Sequence, residues 1–210
     1  MKFIDIEQNC DTWFQLRSGK FTSSKAGVVM ANQGKAFSEP AKKYAVNIAV
    51  EQLTGLAIPS DYQNAHMERG HEQEPLAREM YERESFCIVK NGGFFQDDFI
   101  GCSPDGLVGD NGVIEIKSVI ATTHYSNIRR RSYDPAYKWQ LISNLYHTGS
   151  EWLDFVSYCS QFPEDKQLYT HRMMRDDYRI EFEILHERTE QFKKLVEQTK
   201  DIILNSDYET

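Results

Sequence analysis

Asp105, Glu115 and Lys117 are the residues whose types and spacing could do chemistry. They fall within Ser103-Pro104-Asp105-Gly106-Leu107-Val108-Gly109-Asp110-Asn111-Gly112-Val113-Ile114-Glu115-Ile116-Lys117-Ser118. Turn signals at Pro104 to Gly106 and at Asp110-Asn111-Gly112 predict that Leu107-Val108 and Val113 to Val119 are the two short strands of a hairpin. Side chains alternate along a strand, so Glu115 and Lys117 share one face and Ile114 and Ile116 the other, with Asp105 at the mouth. Two carboxylates and a lysine converging on one strand end suit a divalent-metal site for phosphodiester hydrolysis. Hard oxygens match Mg²⁺, which keeps several waters and takes one or two carboxylates plus substrate phosphate. A bound water would become more acidic, and the lysine could orient it or offset developing charge. A surface hairpin with a solvated Glu/Lys pair carries the same pattern. The same acid-lysine spacing recurs at Glu164/Lys166, in a polar segment with Pro163 that reads as a loop.

The elements that must position these residues follow from capping and periodicity. In Trp13 to Met30 a short helix ends near Gly19, and Thr22 or Ser23 caps a second helix running through Ala26 to Met30. The amides at that second helix start, the Ser24 hydroxyl and the Arg17 guanidinium together make an anion site suited to a terminal phosphate. Plain capping, with Arg17 as a surface charge, is the other reading. Ser38-Glu39-Pro40 opens a core helix to about Glu51, with Tyr44, Ile48, Ala49 and Leu53 at helical spacing and Gly55 as its stop. After a loop at Ile58-Pro59-Ser60-Asp61, a helix runs from near Ala65 to Arg83 despite Pro75. It carries His71, Glu74 and Arg78 on one face, either solvated or with Glu74 aimed at the metal site.

Phe86 to Val89 and Phe94 to Ile100 read as a hairpin turned by Asn91-Gly92-Gly93, so that a small antiparallel meander carries the site. Arg129, Arg130 and Arg131, set among Tyr125 and Tyr133, form the densest basic run and a candidate DNA-phosphate patch, or else a solvated helix end. Tyr137 to Gly149 is an amphipathic helix closed by Gly149. Trp152 to Ser160 and Leu168 to Met174 are strands, and Asp177 to Asn205 is a long scaffold helix with Ile184, Leu185, Phe192, Leu195 and Ile202 on one stripe.

With 210 residues, 40% of them apolar, the chain is expected to be a single domain over 1–210, large enough for a core without disulfides. Cys10, Cys87, Cys102 and Cys159 form no CxxC pair and read as reduced structural thiols rather than a zinc or iron-sulfur site. No signal peptide or membrane-spanning run is visible, so a cytoplasmic protein is expected. A net charge of −8 excludes broad coating of nucleic acid and requires any basic surface to be gathered locally.

Taken in order, Trp13…Arg17…Gly19…Thr22-Ser23-Ser24, Gly70…Glu74…Ala77-Arg78, Ser103-Pro104-Asp105-Gly106, Glu115-Ile116-Lys117 and Trp139-Gln140 resemble the lambda exonuclease/YqaJ-type viral recombinase family, within the PD-(D/E)xK nucleases. The first motif departs from the lambda member at Ser23, which stands in place of an alanine. The resemblance spans about residues 10 to 200. It implies an α/β fold with a mixed central sheet flanked by helices, the restriction-endonuclease-like core. It implies Mg²⁺, with Mn²⁺ as a substitute, on Asp105, Glu115 and the carbonyl of Ile116, assisted by Glu74. Lys117 would be the catalytic lysine, and Gln140 would line the site. Arg17, Ser24 and Ser103 would hold the 5′-phosphate of the strand being degraded. The implied activity is 5′ to 3′ digestion of one strand of linear duplex DNA, leaving a 3′ single strand for phage-type annealing recombination. A homotrimeric ring acting on duplex ends, beside a single-strand annealing protein and encoded by a phage or prophage in a bacterial host, completes the expectation. A restriction-type endonuclease and a non-catalytic DNA-end binding module are the alternatives.

Overall fold

The structure, a computed structural model of the chain, describes residues 1–58 and 65–205, with side chains considered outside 65–71. The loop expected around Pro59 to Asp61 and the side chain of His71 lie outside what is described.

The chain opens on strand β1 (Lys2–Ile4) and helix α1 (Asp11–Arg17), whose first-turn acid and last-turn arginine complement the helix dipole. Strand β2 (Phe21–Thr22) leads into a 3₁₀ turn (Ser23–Lys25) and then α2 (Ala26–Met30). The expected single capped helix is thus a 3₁₀ turn joined to a short α-helix. Thr22 holds the cap position without a side-chain capping bond, because its hydroxyl is engaged by Ser24 at 3.3 Å and Tyr44 at 3.4 Å. Helix α3 (Glu39–Thr54) begins and ends as its sequence requires: Ser38 accepts from the Ala41 amide, and Gly55 closes it in the left-handed conformation. Ile48 and Ala49 are buried as expected, whereas Leu53 lies on the exposed side. Helix α4 (Ala65–Ser85) continues through Pro75.

Strands β3 (Val89–Asn91), β4 (Phe94–Gln96), β5 (Ile100–Cys102), β6 (Gly106–Val108) and β7 (Gly112–Ser118) follow, then α5 (Ala121–Arg130) and, after a 3₁₀ turn, α6 (Lys138–Thr148). Strand β8 (Trp152–Tyr158), an exposed 3₁₀ turn at Glu164–Lys166, strand β9 (Leu168–Met174) and helix α7 (Arg179–Asn205) complete the order. The second acid-lysine pair therefore sits in an exposed connection, as its proline suggested.

A mixed five-stranded sheet in the order β3-β6-β7-β8-β9 forms the centre. β7 and β8 run parallel in full register, joined by a crossover through α5 and α6, and the other neighbours are antiparallel. Alternation then fills both faces. Val113, Leu153 and Phe155 pack with Leu141, Leu145 and Leu185 of α6 and α7. Ile114, Ile116 and Val156 pack with Ala77, Met80 and Tyr81 of α4. A second sheet, ordered β1-β4-β5-β2, stands beside the first, and Phe21 and Phe99 at its edge meet α3 and Phe192 of α7. On α7, Leu185 and Phe192 are buried, but Ile202 is exposed because the helix runs on past the core.

The Asn91-Gly92-Gly93 segment does not make a hairpin. β3 pairs with β6 in the central sheet, whereas β4 pairs with β1 and β5 in the other. The glycines answer a crossing rather than a turn. Gly93 has φ +54°, and a Cβ on Gly92 would stand 1.8 Å from the Pro104 carbonyl oxygen. Pro104 lies on the return crossing from β5 to β6, so the two connections between the sheets press against each other.

Candidate active site

Glu115 sits midway along β7 and is 1% exposed. Burial of an ionisable carboxyl requires partners, and three side chains supply them. Lys117 Nζ donates to Oε1 at 2.6 Å and Gln140 Nε2 to the same oxygen at 2.5 Å, while Asn144 Nδ2 donates to Oε2 at 2.7 Å. Gln140 and Asn144 are four apart on α6 and so share a face. Lys117 reaches from the same strand face as Glu115, with its ammonium 5.5 Å from the centre of the Tyr137 ring.

Asp105 stands on the return crossing just before β6. Its amide donates to Ile114 O at 3.0 Å, and its Oδ2 accepts from the Ile116 amide at 2.6 Å. The ladder between β6 and β7 ends at the Gly106↔Ile114 pair. The N–H and C=O of Ile116 point to one edge of the strand, and this is the edge where Asp105 stands. From the other side α4 closes the corner. Arg78 donates to the Asp105 carbonyl oxygen and lies 3.7 Å from Glu74, and Gln73 accepts from the Ser118 hydroxyl.

The electrostatics show an excess of negative charge. Burial, then the nearness of Asp105, pushes Glu115 up to about 7 against the opposing pull of Lys117. Burial and Asp105 likewise push Glu74 up to about 7, with Arg78 and Lys117 opposing. For Lys117, burial acts to lower the pKa, but Glu115 and Asp105 together outweigh it and hold the ammonium charged well above the usual lysine range. Among the described residues no three His, Cys, Asp or Glu side chains are gathered into a ready metal centre.

The candidate phosphate residues form a second cluster tied to the first. The Arg17 guanidinium stacks over the Trp13 ring at 4.0 Å and donates to Ser24 Oγ at 3.2 Å. Trp13 in turn donates from Nε1 to Ser103 Oγ at 3.0 Å. Ser103 thus ends the cluster two residues before Asp105. Burial lowers the Arg17 pKa from its ordinary value, countered by Tyr44 and Cys102.

The structure therefore brings Asp105, Glu115, Ile116, Lys117, Glu74 and Gln140 together and places Arg17, Ser24 and Ser103 beside one another. Arg129, Arg130 and Arg131 take part in none of these contacts: they are exposed at the C-terminal end of α5. Trp13 and Asn144 carry contacts that the sequence reading did not assign. The spacing of Asn144 four residues after Gln140 is the signal that could have found it.

A model of the YqaJ-like viral recombinase domain matches residues 12–151. Among solved structures, the fold is similar to that of an alkaline exonuclease from Laribacter hongkongensis, LHK-Exo, with TM-score 0.78 and 33% identity over 94% of this chain and 100% of that one. The same exonuclease in complex with dAMP aligns with TM-score 0.78 and 34% identity over the same shares, 94% and 100%. A phage related exonuclease from Haemophilus somnus 129PT shares the fold at TM-score 0.71 and 15% identity, over 90% of this chain and 99% of that one. No curated protein matches. With the family model covering most of the chain and the restriction-endonuclease-like core in place, the chain belongs to the YqaJ-like viral recombinase family, the lambda-exonuclease-type branch of the PD-(D/E)xK nucleases with a role in recombination.

Proposed function

We propose that this chain is a Mg²⁺-dependent 5′ to 3′ exonuclease that digests one strand of linear double-stranded DNA and leaves 3′ single strands for annealing. The observation that carries the reading is the Trp13–Ser103 link, which sets an arginine-serine pocket two residues from the carboxylate Asp105. An anion pocket fixed beside a hydrolytic centre suits an enzyme that starts from a phosphorylated strand end.

The donor set fits a hard divalent cation. Asp105, Glu115 and Glu74 crowd negative charge that Lys117 and Arg78 only partly offset. Asp105 and Glu115 would hold Mg²⁺ with the carbonyl of Ile116, Glu74 standing alongside, and the rest of the shell would be water and substrate oxygen. When bound, the ion makes a coordinated water more acidic and neutralises phosphate charge. Lys117, held charged beside Glu115, orients the attacking water and offsets the charge that builds on the phosphate oxygens. Gln140 and Asn144 fix the Glu115 carboxylate. Arg17, Ser24 and Ser103 hold the terminal 5′-phosphate. Water adds to the phosphorus, and the bond to the 3′-oxygen breaks. A nucleoside monophosphate leaves, and the shortened strand carries a new 5′-phosphate that can reseat in the pocket. The complex of LHK-Exo with dAMP supports a product of this kind.

The reading extends, on the family resemblance, to a homotrimeric ring on duplex ends working with a single-strand annealing protein in a phage-infected bacterial cytoplasm. The test is a time course with Mg²⁺ on linear duplex bearing 5′-phosphate ends beside a closed circle. Loss of the linear DNA alone is expected. Cutting of the circle would indicate a restriction-type endonuclease, and no cutting of either would indicate an end-binding module.

A further inference from the structure

Two pairs of sequence neighbours join the two clusters of the site through the interior. Ser24 accepts from Arg17, and its neighbour Ser23 meets Ser143 hydroxyl to hydroxyl at 2.8 Å. Ser143 in turn precedes Asn144, which donates to Glu115 Oε2 at 2.7 Å. Ser23 is 2% exposed, and Ser143 and Asn144 are fully buried, so no solvent relaxes the path. Asn144 has its Oδ1 buried with no hydrogen-bond partner in the described structure. Gln140 and Asn144 hold opposite oxygens of Glu115 from one helix. A shift of α6 is therefore passed to both.

We infer that the Ser23–Ser143 hydrogen bond couples occupancy of the Arg17–Ser24 pocket to the alignment of Glu115, so that Ser143 and Asn144 are positioning residues that make the first cleavage depend on a 5′-phosphate. The inference rests on the exonuclease reading and deepens it. An anion drawn against Ser24 moves the 3₁₀ turn, the turn moves α6 through Ser143, and the two amides seat the carboxylate. Recognition of the end and readiness to cut become one event.

The test compares Ser143→Ala, and Ser23→Ala with Ser143→Ala together, against the wild type. Three quantities are read: thermal stability, metal-free binding of 5′-phosphate and 5′-hydroxyl duplexes by anisotropy, and the single-turnover rate of release of the first nucleotide from each. Ser143→Ala leaves the Ser23 hydroxyl without its serine partner and should lower the melting temperature. The double variant removes both hydroxyls and should recover much of that loss. In both variants the binding preference for phosphate ends should persist, since Arg17 and Ser24 remain. The rate preference should fall by about tenfold, in the usual range of coupling between sites. A rate preference equal to that of the wild type in the double variant would overturn the coupling, and so would loss of the binding preference together with the rate. A wild type with no preference for phosphate ends would instead overturn the pocket itself.

Discussion

Lys117 neutralises a buried carboxylate at 2.6 Å, and the proposed reaction gives it a second duty, offsetting charge that develops on a phosphate. Removing it should separate them. Gln140 and Asn144 still hold Glu115 in Lys117→Ala, so the fold should survive, as circular dichroism and a melting curve will show. The rate of nucleotide release should drop by about 10²–10³-fold, the usual loss when one preorganised charge-stabilising group is deleted. A folded Lys117→Ala protein that still digests DNA at the wild-type rate would remove the lysine from the reaction. At this scale the sequence was most legible where charged types stand at strand spacing beside a turn: Asp105, Glu115 and Lys117 do come together. Asn144 was hidden because an asparagine on an amphipathic helix looks like any polar residue until the strand that it faces is known. Trp13 was hidden for a related reason. Its indole is buried like a core residue, yet it supplies both the plate under Arg17 and the donor to Ser103.

Among elements, the pairing of β8 with β9 depends on an ion pair across the register. Asp154 is buried, Arg172 lies opposite it and donates from Nε and Nη2 at 2.8 and 2.7 Å, and Tyr81 of α4 adds its hydroxyl at 2.7 Å. The two partners differ in their access to water, since Arg172 is half exposed and Asp154 nearly inaccessible. Arg172→Ala would strand a buried carboxylate and should cost about 3–5 kcal/mol. Asp154→Asn releases an arginine that can reach solvent and should cost less, about 1 kcal/mol. Urea unfolding of the two variants checks the order, and equal losses would show that Asp154 is satisfied without its arginine. Helix termini and strand alternation were readable because their causes are local: Ser38 and Gly55 bound α3, and Ile114 and Ile116 face α4. The error at Asn91-Gly92-Gly93 was one of partner choice. Two glycines report that the backbone needs freedom, and here the need came from Pro104, which lies far along the chain.

For the whole molecule, 24 basic residues against 32 acidic ones mean that contact with DNA must be local. Arg129, Arg130 and Arg131 stand exposed together at one helix end. If they track the backbone of the duplex, replacing all three by glutamine should leave first-nucleotide chemistry on short substrates intact. The slope of log affinity against log salt should become shallower by about 2–3, close to 0.9 for each lost phosphate contact. An unchanged slope would return them to a solvated surface. The presence of a second sheet could not be foreseen from alternation, because β1, β2, β4 and β5 are strands of two or three residues whose pairing is decided by contacts between distant parts of the chain.

The crowding of Gly92 against Pro104 gives this second sheet a metric role. The two crossings between sheets touch with no room for a single carbon atom, and on one of them Ser103 and Asp105 stand two residues apart. The spacing of the two crossings is therefore gauged at a position that has no side chain, and in the proposed reaction it would set the span between a held strand terminus and the scissile bond. In the proposed reaction that span is the length of one bite.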